Sequence, residues 1–192
     1  MQAREIGLRM HGVTGLGAAQ ASQIIRQMVT AGGPPYSLLR ELGLNDRQQA
    51  QFRQVDPRYL AATLTWLEQP ENLLWIYGEA DYPERLLPID DAPLLLLVKG
   101  NPQAVQQPQI AMVGSRQFSH YGEHWASYFA TGLVHCGFTI TSGLAIGIDS
   151  ICHRAALAAE GATVAVLGSG LANIYPRRHQ RLAEQIVESG EV

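Results

Sequence analysis

An apolar run enters a glycine-containing turn twice in this chain, at Ile110-Ala111-Met112-Val113-Gly114-Ser115-Arg116 and at Phe138-Thr139-Ile140-Thr141-Ser142-Gly143-Leu144-Ala145-Ile146-Gly147-Ile148-Asp149. Each turn follows an expected strand and precedes an expected helix. Because a helix N-terminus carries partial positive charge and unsatisfied N–H groups, both turns favour an anion, phosphate above all. Arg116 adds a planar guanidinium that suits phosphate. The turns therefore predict a phosphate-binding site at one edge of a parallel sheet.

The second half of the chain alternates strands and helices. From about residue 106 the pattern predicts strands at 110–113, 138–141 and 163–167, and helices at 121–136, 149–160 and 177–189. Strands without polar alternation, separated by helices of this length, indicate a parallel sheet with right-handed crossovers. We expect Ser119 to cap the first helix, Asp149 to cap the second and Gly161 to end the second. The predicted fold class is α/β, a Rossmann-like parallel sheet with flanking helices, whose ligands bind at the carboxyl ends of the strands.

Residues 1–70 are predicted to form a small all-α domain, since apolar residues recur at helical spacing over 6–10, 21–29, 36–44 and 59–67. Alternating glycines at 12–17 fit a helix-hairpin-helix turn, in which backbone N–H groups approach a DNA phosphate, and equally fit a plain αα-hairpin. Residues 71–105 form a connector with short strands at 73–77 and 94–98. The predicted domains are thus 1–70, 71–105 and 106–192.

Composition limits the class of protein. The 192 residues are 46% hydrophobic and 16% charged with a net charge of −3, as in an ordinary globular chain. A nucleic acid would therefore have to meet a local basic patch. Cys136 and Cys152 form neither a disulfide framework nor a metal-ligand spacing, so buried free thiols are expected. Without a signal-peptide apolar region or an apolar run long enough to span a membrane, the chain is expected to be soluble and cytoplasmic.

Other patterns are weaker. The run Gly168-Ser169-Gly170-Leu171-Ala172-Asn173 follows a strand, but Asn173 replaces the third glycine of a dinucleotide fingerprint, which disfavours an NAD site. Arginines at 177, 178 and 181 either face phosphate, which we favour, or form a solvated helix face. His120 and His124 lie four residues apart without a third ligand, so no metal is predicted. The loops carry Asp149 as their one carboxylate, and no nucleophile with a base is identifiable, so the loop chemistry favours binding over catalysis.

Three ordered motifs resemble the signatures of the DNA-processing protein A family, also called DprA or Smf. The first is Val113-Gly114-Ser115-Arg116-x-x-Ser119-x-Tyr121-Gly122, and the second is Thr141-Ser142-Gly143-Leu144-Ala145-x-Gly147-Ile148-Asp149. The third is Val164-Ala165-Val166-Leu167-Gly168-x-Gly170-Leu171 with Tyr175-Pro176. The resemblance is strong over about residues 70–192, and the helical N-terminus fits the SAM-like domain that precedes the sheet in many members.

The resemblance implies a protein that is not an enzyme. Family members bind incoming single-stranded DNA during natural transformation and help load the RecA recombinase, with backbone phosphates held at the strand ends and no cofactor. Partners implied are single-stranded DNA, RecA and a second copy in a homodimer. Together, the loops and the resemblance assign phosphate contacts to Gly114, Ser115, Arg116, Ser119, Ser142, Gly143, Leu144, Gly147, Arg177 and Arg178. Phe118, on the loop just past Arg116, is the candidate for base stacking.

The chain departs from the family pattern at three places. Ile146 stands where arginine is usual, and His179 where asparagine is usual. The chain ends at Val192, before a fourth strand and before the later half of the family's domain, with which the dimer and RecA surfaces are associated. We therefore expect a domain truncated at its C-terminal side. An alternative is a phosphoribohydrolase-like enzyme on a related sheet, whose Pro-Gly-Gly-x-Gly-Thr signature is not in this chain.

Overall fold

A computed structural model describes residues 2–32 and 38–189, and the chain divides into two compact units, Met1–Val98 and Lys99–Val192. The helices of the first unit are α1 (Ala3–His11), α2 (Ala18–Thr30), α3 (Leu38–Glu41), α4 (Asp46–Arg53) and α5 (Pro57–Trp66). The paired strands β1 (Asn72–Ile76) and β2 (Leu95–Lys99) follow, with a 3-10 turn at Glu84–Leu86 between them. The helical character predicted for this part of the chain is confirmed, while residues 36 and 37 of one predicted segment lie outside the described residues.

One apolar core holds the first unit together. Ile6, Met28 and Phe52 are fully buried in it, and Ile76 and Leu95 bring β1 and β2 into the same cluster. Burial of apolar surface is the main driving force for this packing. The two strands of the predicted connector thus share the core of the helices that precede them.

Helix α4 was not distinguished by apolar spacing, because few of its residues are apolar. Its start is marked by a capping box: Gln48 N–H donates to Asn45 Oδ1 at 2.9 Å, and Asn45 N–H donates to Gln48 Oε1 at 3.0 Å. Helix α4 also ties down the glycine hairpin at 12–17, since Thr14 N–H donates to Gln51 Oε1 at 3.2 Å. Contact of that hairpin with DNA stays a prediction.

The second unit has the predicted βαβαβ order. Its elements are α6 (Gln103–Gln106), β3 (Gln109–Ala111), α7 (His120–His135), β4 (Thr139–Ser142), α8 (Ile148–Ala158), β5 (Thr163–Ala165), a 3-10 turn (Arg177–His179) and α9 (Gln180–Glu188). The strands form a parallel sheet in the order β3-β4-β5, with Ile110 opposite Ile140 and Ile140 opposite Thr163. The predicted α/β class and the parallel sheet are confirmed.

Small side chains let α7 and α8 pack closely against the sheet. Ala130, Cys152 and Ala156 are fully buried in this core beside Ile140. Strands β3 and β5 are shorter than predicted, because Val113 and Val166 lie beyond the ladder and are 75% and 63% exposed, while β4 keeps its predicted length and begins one residue later. The last helix begins at Gln180, three residues later than predicted, since the arginines that precede it form the 3-10 turn.

Three residues were predicted to cap or end helices, and the structure confirms one of these predictions and corrects the other two. Ser119 caps α7 as predicted, with its Oγ accepting from Gly122 N–H at 3.1 Å. The prediction for Asp149 is wrong: Gly147 is the N-cap residue of α8, and the Asp149 carboxylate accepts from the preceding loop. Gly161 does not end α8 either, since the helix stops at Ala158. At Gly161 a Cβ would overlap the side chain of Val134, so this glycine permits close packing against α7.

The two cysteines differ in burial. Both are free; Cys152 is buried as predicted, whereas Cys136 is exposed at the C-terminal end of α7, which corrects that prediction. Within residues 2–32 and 38–189, no helix has the length and apolar character that crossing a bilayer requires.

Candidate phosphate-binding site

The loops after β3 and β4 are in direct backbone contact. Ile148 N–H donates to the Ser115 carbonyl oxygen at 3.2 Å, and Gly147 faces the same peptide. A Cβ at Gly147 would overlap Ser115 O and lie 2.8 Å from Arg116 Cα. Gly147 has φ 98° and ψ −137°, a conformation that side chains strongly disfavour. This position therefore requires glycine for the approach of the two loops and for its own backbone.

Gly114 permits a second contact between these loops. A Cβ there would lie 2.7 to 2.9 Å from three side-chain carbons of Ile148. These separations are shorter than van der Waals contact, so a larger residue would push α8 away from the first loop. Two of the predicted phosphate-site glycines thus have a packing role that the structure describes directly.

The first loop presents an unpaired cation at the surface. Ser115 bends the loop: its Oγ donates to Gln117 O at 2.5 Å and accepts from Gln117 N–H at 3.0 Å. Arg116 is exposed, and its guanidinium makes no hydrogen bond or ion pair with the residues that the structure describes. Ser115 and Arg116 thus lie side by side at the carboxyl end of β3, with the guanidinium available to a ligand.

Several polar groups of the second loop already have hydrogen-bond partners within the chain. Ser142 is buried and its Oγ donates to Met112 O at 2.6 Å. The Asp149 carboxylate accepts from Gly143 N–H at 3.2 Å and from Ala145 N–H at 3.4 Å. Consecutive N–H groups around a left-handed residue make a concavity that binds anions. In this loop that concavity already holds the chain's own Asp149.

Leu144 lies between those two amides in an unusual conformation. Its φ is 59° and its side chain is fully buried. Of the phosphate contacts predicted on this loop, the structure directs the Ser142 hydroxyl, the Gly143 N–H and the Leu144 side chain toward intramolecular partners. Packing and hydrogen bonding of buried groups account for all three placements.

The third loop joins the second through a histidine. Arg177 and Arg178 are exposed in the 3-10 turn, whereas His179 is buried. His179 Nδ1 lies 2.8 Å from the Leu144 carbonyl oxygen, and because a carbonyl can only accept, Nδ1 carries the proton. The structure therefore connects all three predicted loops. Sequence reasoning missed this contact, since spacing along the chain does not show which loop His179 reaches.

A second buried histidine, His153 on α8, contacts the sheet at Thr163, the first residue of β5. Thr163 Oγ1 donates its one proton to Ile140 O at 2.7 Å. The same oxygen lies 2.7 Å from His153 Nδ1, so it accepts a hydrogen bond from that nitrogen. Burial lowers the pKa of His153 to about 4; the Asp149 charge opposes this change and His179 adds to it. At neutral pH His153 is therefore uncharged. His153 lies among apolar residues of α8, and this placement could have indicated from the sequence that the side chain is buried.

Exposed aromatic rings lie on the first loop and along α7. Phe118, the candidate for stacking, is 43% exposed. Sequence analysis missed an aromatic row on α7 that continues from Tyr121 through Trp125 to Tyr128 and Phe129. The Trp125 and Phe129 rings stack with their centroids 5.5 Å apart. Trp125 lies four residues after Tyr121, and Tyr128 and Phe129 lie three and four residues after Trp125, a spacing that places these rings beside one another on the helix and could have revealed them.

Two protein-family models match this chain. The family model described as DNA recombination-mediator protein A matches residues 73–192, and the model of the SMF/DprA SAM domain matches residues 1–65. Protein Smf of Escherichia coli is 40% identical over 186 residues, which make up 97% of this chain and 50% of that protein. This chain therefore spans half the length of that relative.

Two solved structures are similar to this chain. DNA processing protein A (DprA) from Streptococcus pneumoniae has a TM-score of 0.72 and 30% identity, over 97% of this chain and 64% of that one. DNA processing protein A from Helicobacter pylori, whose structure describes its single-stranded DNA binding mode, has a TM-score of 0.54 and 24% identity, over 61% and 53% of the two chains. The latter likeness shows the fold alone. With a family model that covers more than half of its residues, the chain belongs to the DprA/Smf family of DNA-processing proteins.

Proposed function

We propose that this chain binds the phosphate backbone of single-stranded DNA at the carboxyl edge of its parallel sheet. The observation that carries the proposal is the connection of three loops that present Arg116, Arg177 and Arg178 as exposed cations. Guanidinium groups bind phosphate oxygens without reading the bases. A relative from Helicobacter pylori with the same fold binds single-stranded DNA, which supports this choice of ligand.

The proposed phosphate site comprises Gly114, Ser115, Arg116, Ser119, Ser142, Gly143, Leu144, Gly147, Arg177 and Arg178. Exposed Arg116, Arg177 and Arg178 are the proposed primary contacts, because several of the other groups already have intramolecular partners. The buried groups would act by keeping the loops in shape. Phe118 would stack on a base next to the held phosphates, a contact that tolerates any base.

In the cell, the proposed role is that of a recombination mediator. The chain would cover single strands, protect them and help load RecA, in natural transformation or in general recombination, and it would act in the cytoplasm. A homodimer is part of the same proposal. No catalytic step is proposed: Asp149, the loop carboxylate, is buried and holds two backbone amides, which leaves it unsuited to the acid–base chemistry of a phosphoribohydrolase.

The test is fluorescence anisotropy of labelled oligo-dT, single- and double-stranded, over a range of salt concentrations. Each neutralised phosphate on a single strand contributes roughly −0.7 to the slope of log K against log salt, so three arginines predict a slope of about −2. Arg116→Ala should reduce the slope by about 0.7 and weaken binding to all base sequences alike. Binding that is independent of salt would contradict the proposal.

Arg154→Ala is the matched control, since it removes the same charge from the same unit. Arg154 is exposed on α8, six residues beyond the first residue of the helix, which is about 9 Å along the axis. We expect this variant to keep the wild-type slope. Equal losses in both variants would show that net charge, and not the proposed site, determines binding.

A further inference from the structure

Leu144 adopts a backbone conformation that must be held in place by its neighbours. A φ of 59° is rare for a residue with a branched side chain, and here the side chain is also fully buried. The residue cannot relax by turning toward solvent without emptying its position in the core. The contacts that fix its peptide groups are therefore part of what gives the second loop its shape.

Two side chains hold one peptide plane from opposite ends. The Leu144 carbonyl and the Ala145 N–H belong to the same planar unit. His179 Nδ1 donates to that carbonyl at 2.8 Å, and Asp149 Oδ2 accepts from that N–H at 3.4 Å. Asp149 Oδ2 also accepts from Gly143 N–H at 3.2 Å, on the other side of Leu144. Rotation of the plane would break bonds to both side chains.

The same histidine fixes the turn that carries two arginines. His179 closes the 3-10 turn, with its own N–H donating to Pro176 O at 2.9 Å, and it directly follows Arg177 and Arg178. The second loop in turn contacts Ser115 through Ile148 N–H, next to Arg116. A continuous series of contacts thus runs from the arginines of the third loop to the arginine of the first.

The geometry assigns His179 as a positioning residue of the phosphate site. By donating from Nδ1 to Leu144 O, it sets the separation between the Arg177–Arg178 pair and Arg116, and so determines whether these cations meet successive phosphates of one strand. This inference rests on the proposed function. His179 touches no phosphate in this scheme; it acts through the position of the residues beside it.

Two substitutions of His179 distinguish its role as a hydrogen-bond donor from its role in filling a buried position. Asparagine carries its amide nitrogen on Cγ, as histidine carries Nδ1, so His179→Asn can keep the hydrogen bond with a smaller side chain. His179→Leu fills the buried position with an apolar group and leaves the Leu144 carbonyl without its donor. A packing role predicts that leucine is the better substitute, whereas a positioning role predicts asparagine.

The experiment combines binding with hydrogen exchange on the full 192-residue chain. Single-stranded oligo-dT affinity is measured by anisotropy for wild type, His179→Asn and His179→Leu, and exchange of the Ala145 amide is followed by NMR without DNA. The Ile140 amide, which donates to Ala162 O within the core, reports global stability in the same spectra. We expect His179→Leu to bind about fivefold or more weakly and to exchange Ala145 faster by a similar factor, from the loss of one hydrogen bond.

His179→Asn should stay within about twofold of wild type in both measurements, since its single hydrogen bond is retained. Wild-type affinity in His179→Leu, or a loss in His179→Asn as large as in His179→Leu, overturns the inference. If His179→Leu does not fold, a fivefold loss of oligo-dT affinity in His179→Asn is enough to overturn the inference. If wild type does not bind oligo-dT, the proposed function fails and so does the assignment to a phosphate site; exchange at Ala145 then decides whether His179 holds the loop.

Discussion

Replacement of Gly147 by alanine tests the contact between the first two loops. At φ 98° and ψ −137°, a side chain costs about 1–3 kcal/mol in backbone strain alone. The added Cβ would also overlap Ser115 O, a backbone atom that cannot rotate away as a side chain could. Overpacking of this kind adds about 1–3 kcal/mol, so we expect Gly147→Ala to lower the free energy of unfolding by about 2–6 kcal/mol in total.

Gly170→Ala provides the matched control. Gly170 also has a positive φ, 73°, but a Cβ there would have no atom within 4 Å. Only the left-handed conformation is penalised, at about 1–2 kcal/mol. Urea denaturation followed by circular dichroism measures both variants, and oligo-dT anisotropy shows whether Gly147→Ala also separates Arg116 from the second loop. If the two variants unfold at the same urea concentration and bind alike, the close approach of Gly147 to Ser115 is not as described.

Three further predictions concern single side chains. The pKa of His153 is lowered from 6.5 to about 4, so the stabilisation from its neutral form is present above pH 6.5 and is lost as the pH falls toward 4. Urea titrations should show a free energy of unfolding about 3 kcal/mol lower at pH 4 than at neutral pH. A free energy of unfolding that does not change with pH would contradict this. Phe118→Leu should weaken oligo-dT binding by about 1–3 kcal/mol, whereas Tyr128→Leu, an exposed ring of α7, should not; equal anisotropy titrations would exclude stacking by Phe118. Ser142→Ala should cost about 1–3 kcal/mol in urea denaturation because the Met112 carbonyl loses its donor, and an unchanged midpoint would refute this.

The order of elements could be predicted from the sequence because it depends on local patterns. Apolar runs at the positions of β3, β4 and β5, and Ser119 before α7, each act within a few residues. The prediction that Asp149 caps α8 was wrong because its partners depend on how the loop folds. An acidic residue in a first turn suits a cap, but here the loop around Leu144 offers its carboxylate the amides of Gly143 and Ala145. Only the folded loop shows that competition.

Contacts between distant segments could not be predicted in the same way. His179 and Leu144 are 35 residues apart, and His153 meets a threonine hydroxyl that hydrogen-bonds to a neighbouring strand. Their side-chain types are compatible with many partners, so spacing leaves the partner undetermined. The glycines gave a stronger signal, but Gly114 and Gly147 were predicted to contact phosphate. At Gly114 and Gly147 the space is taken by Ile148 and by the backbone of the first loop.

These internal contacts change which groups are available to DNA. A turn with free amides would bind phosphate through the main chain, but Asp149 already occupies the amides of Gly143 and Ala145. Its negative charge also opposes a second anion at that point. Under the proposed function, the remaining attraction to phosphate would come from arginines on the first and third loops, which the second loop connects. A chain with a net charge of −3 would then bind a polyanion locally, provided that the second loop keeps those cations at the spacing of the phosphates.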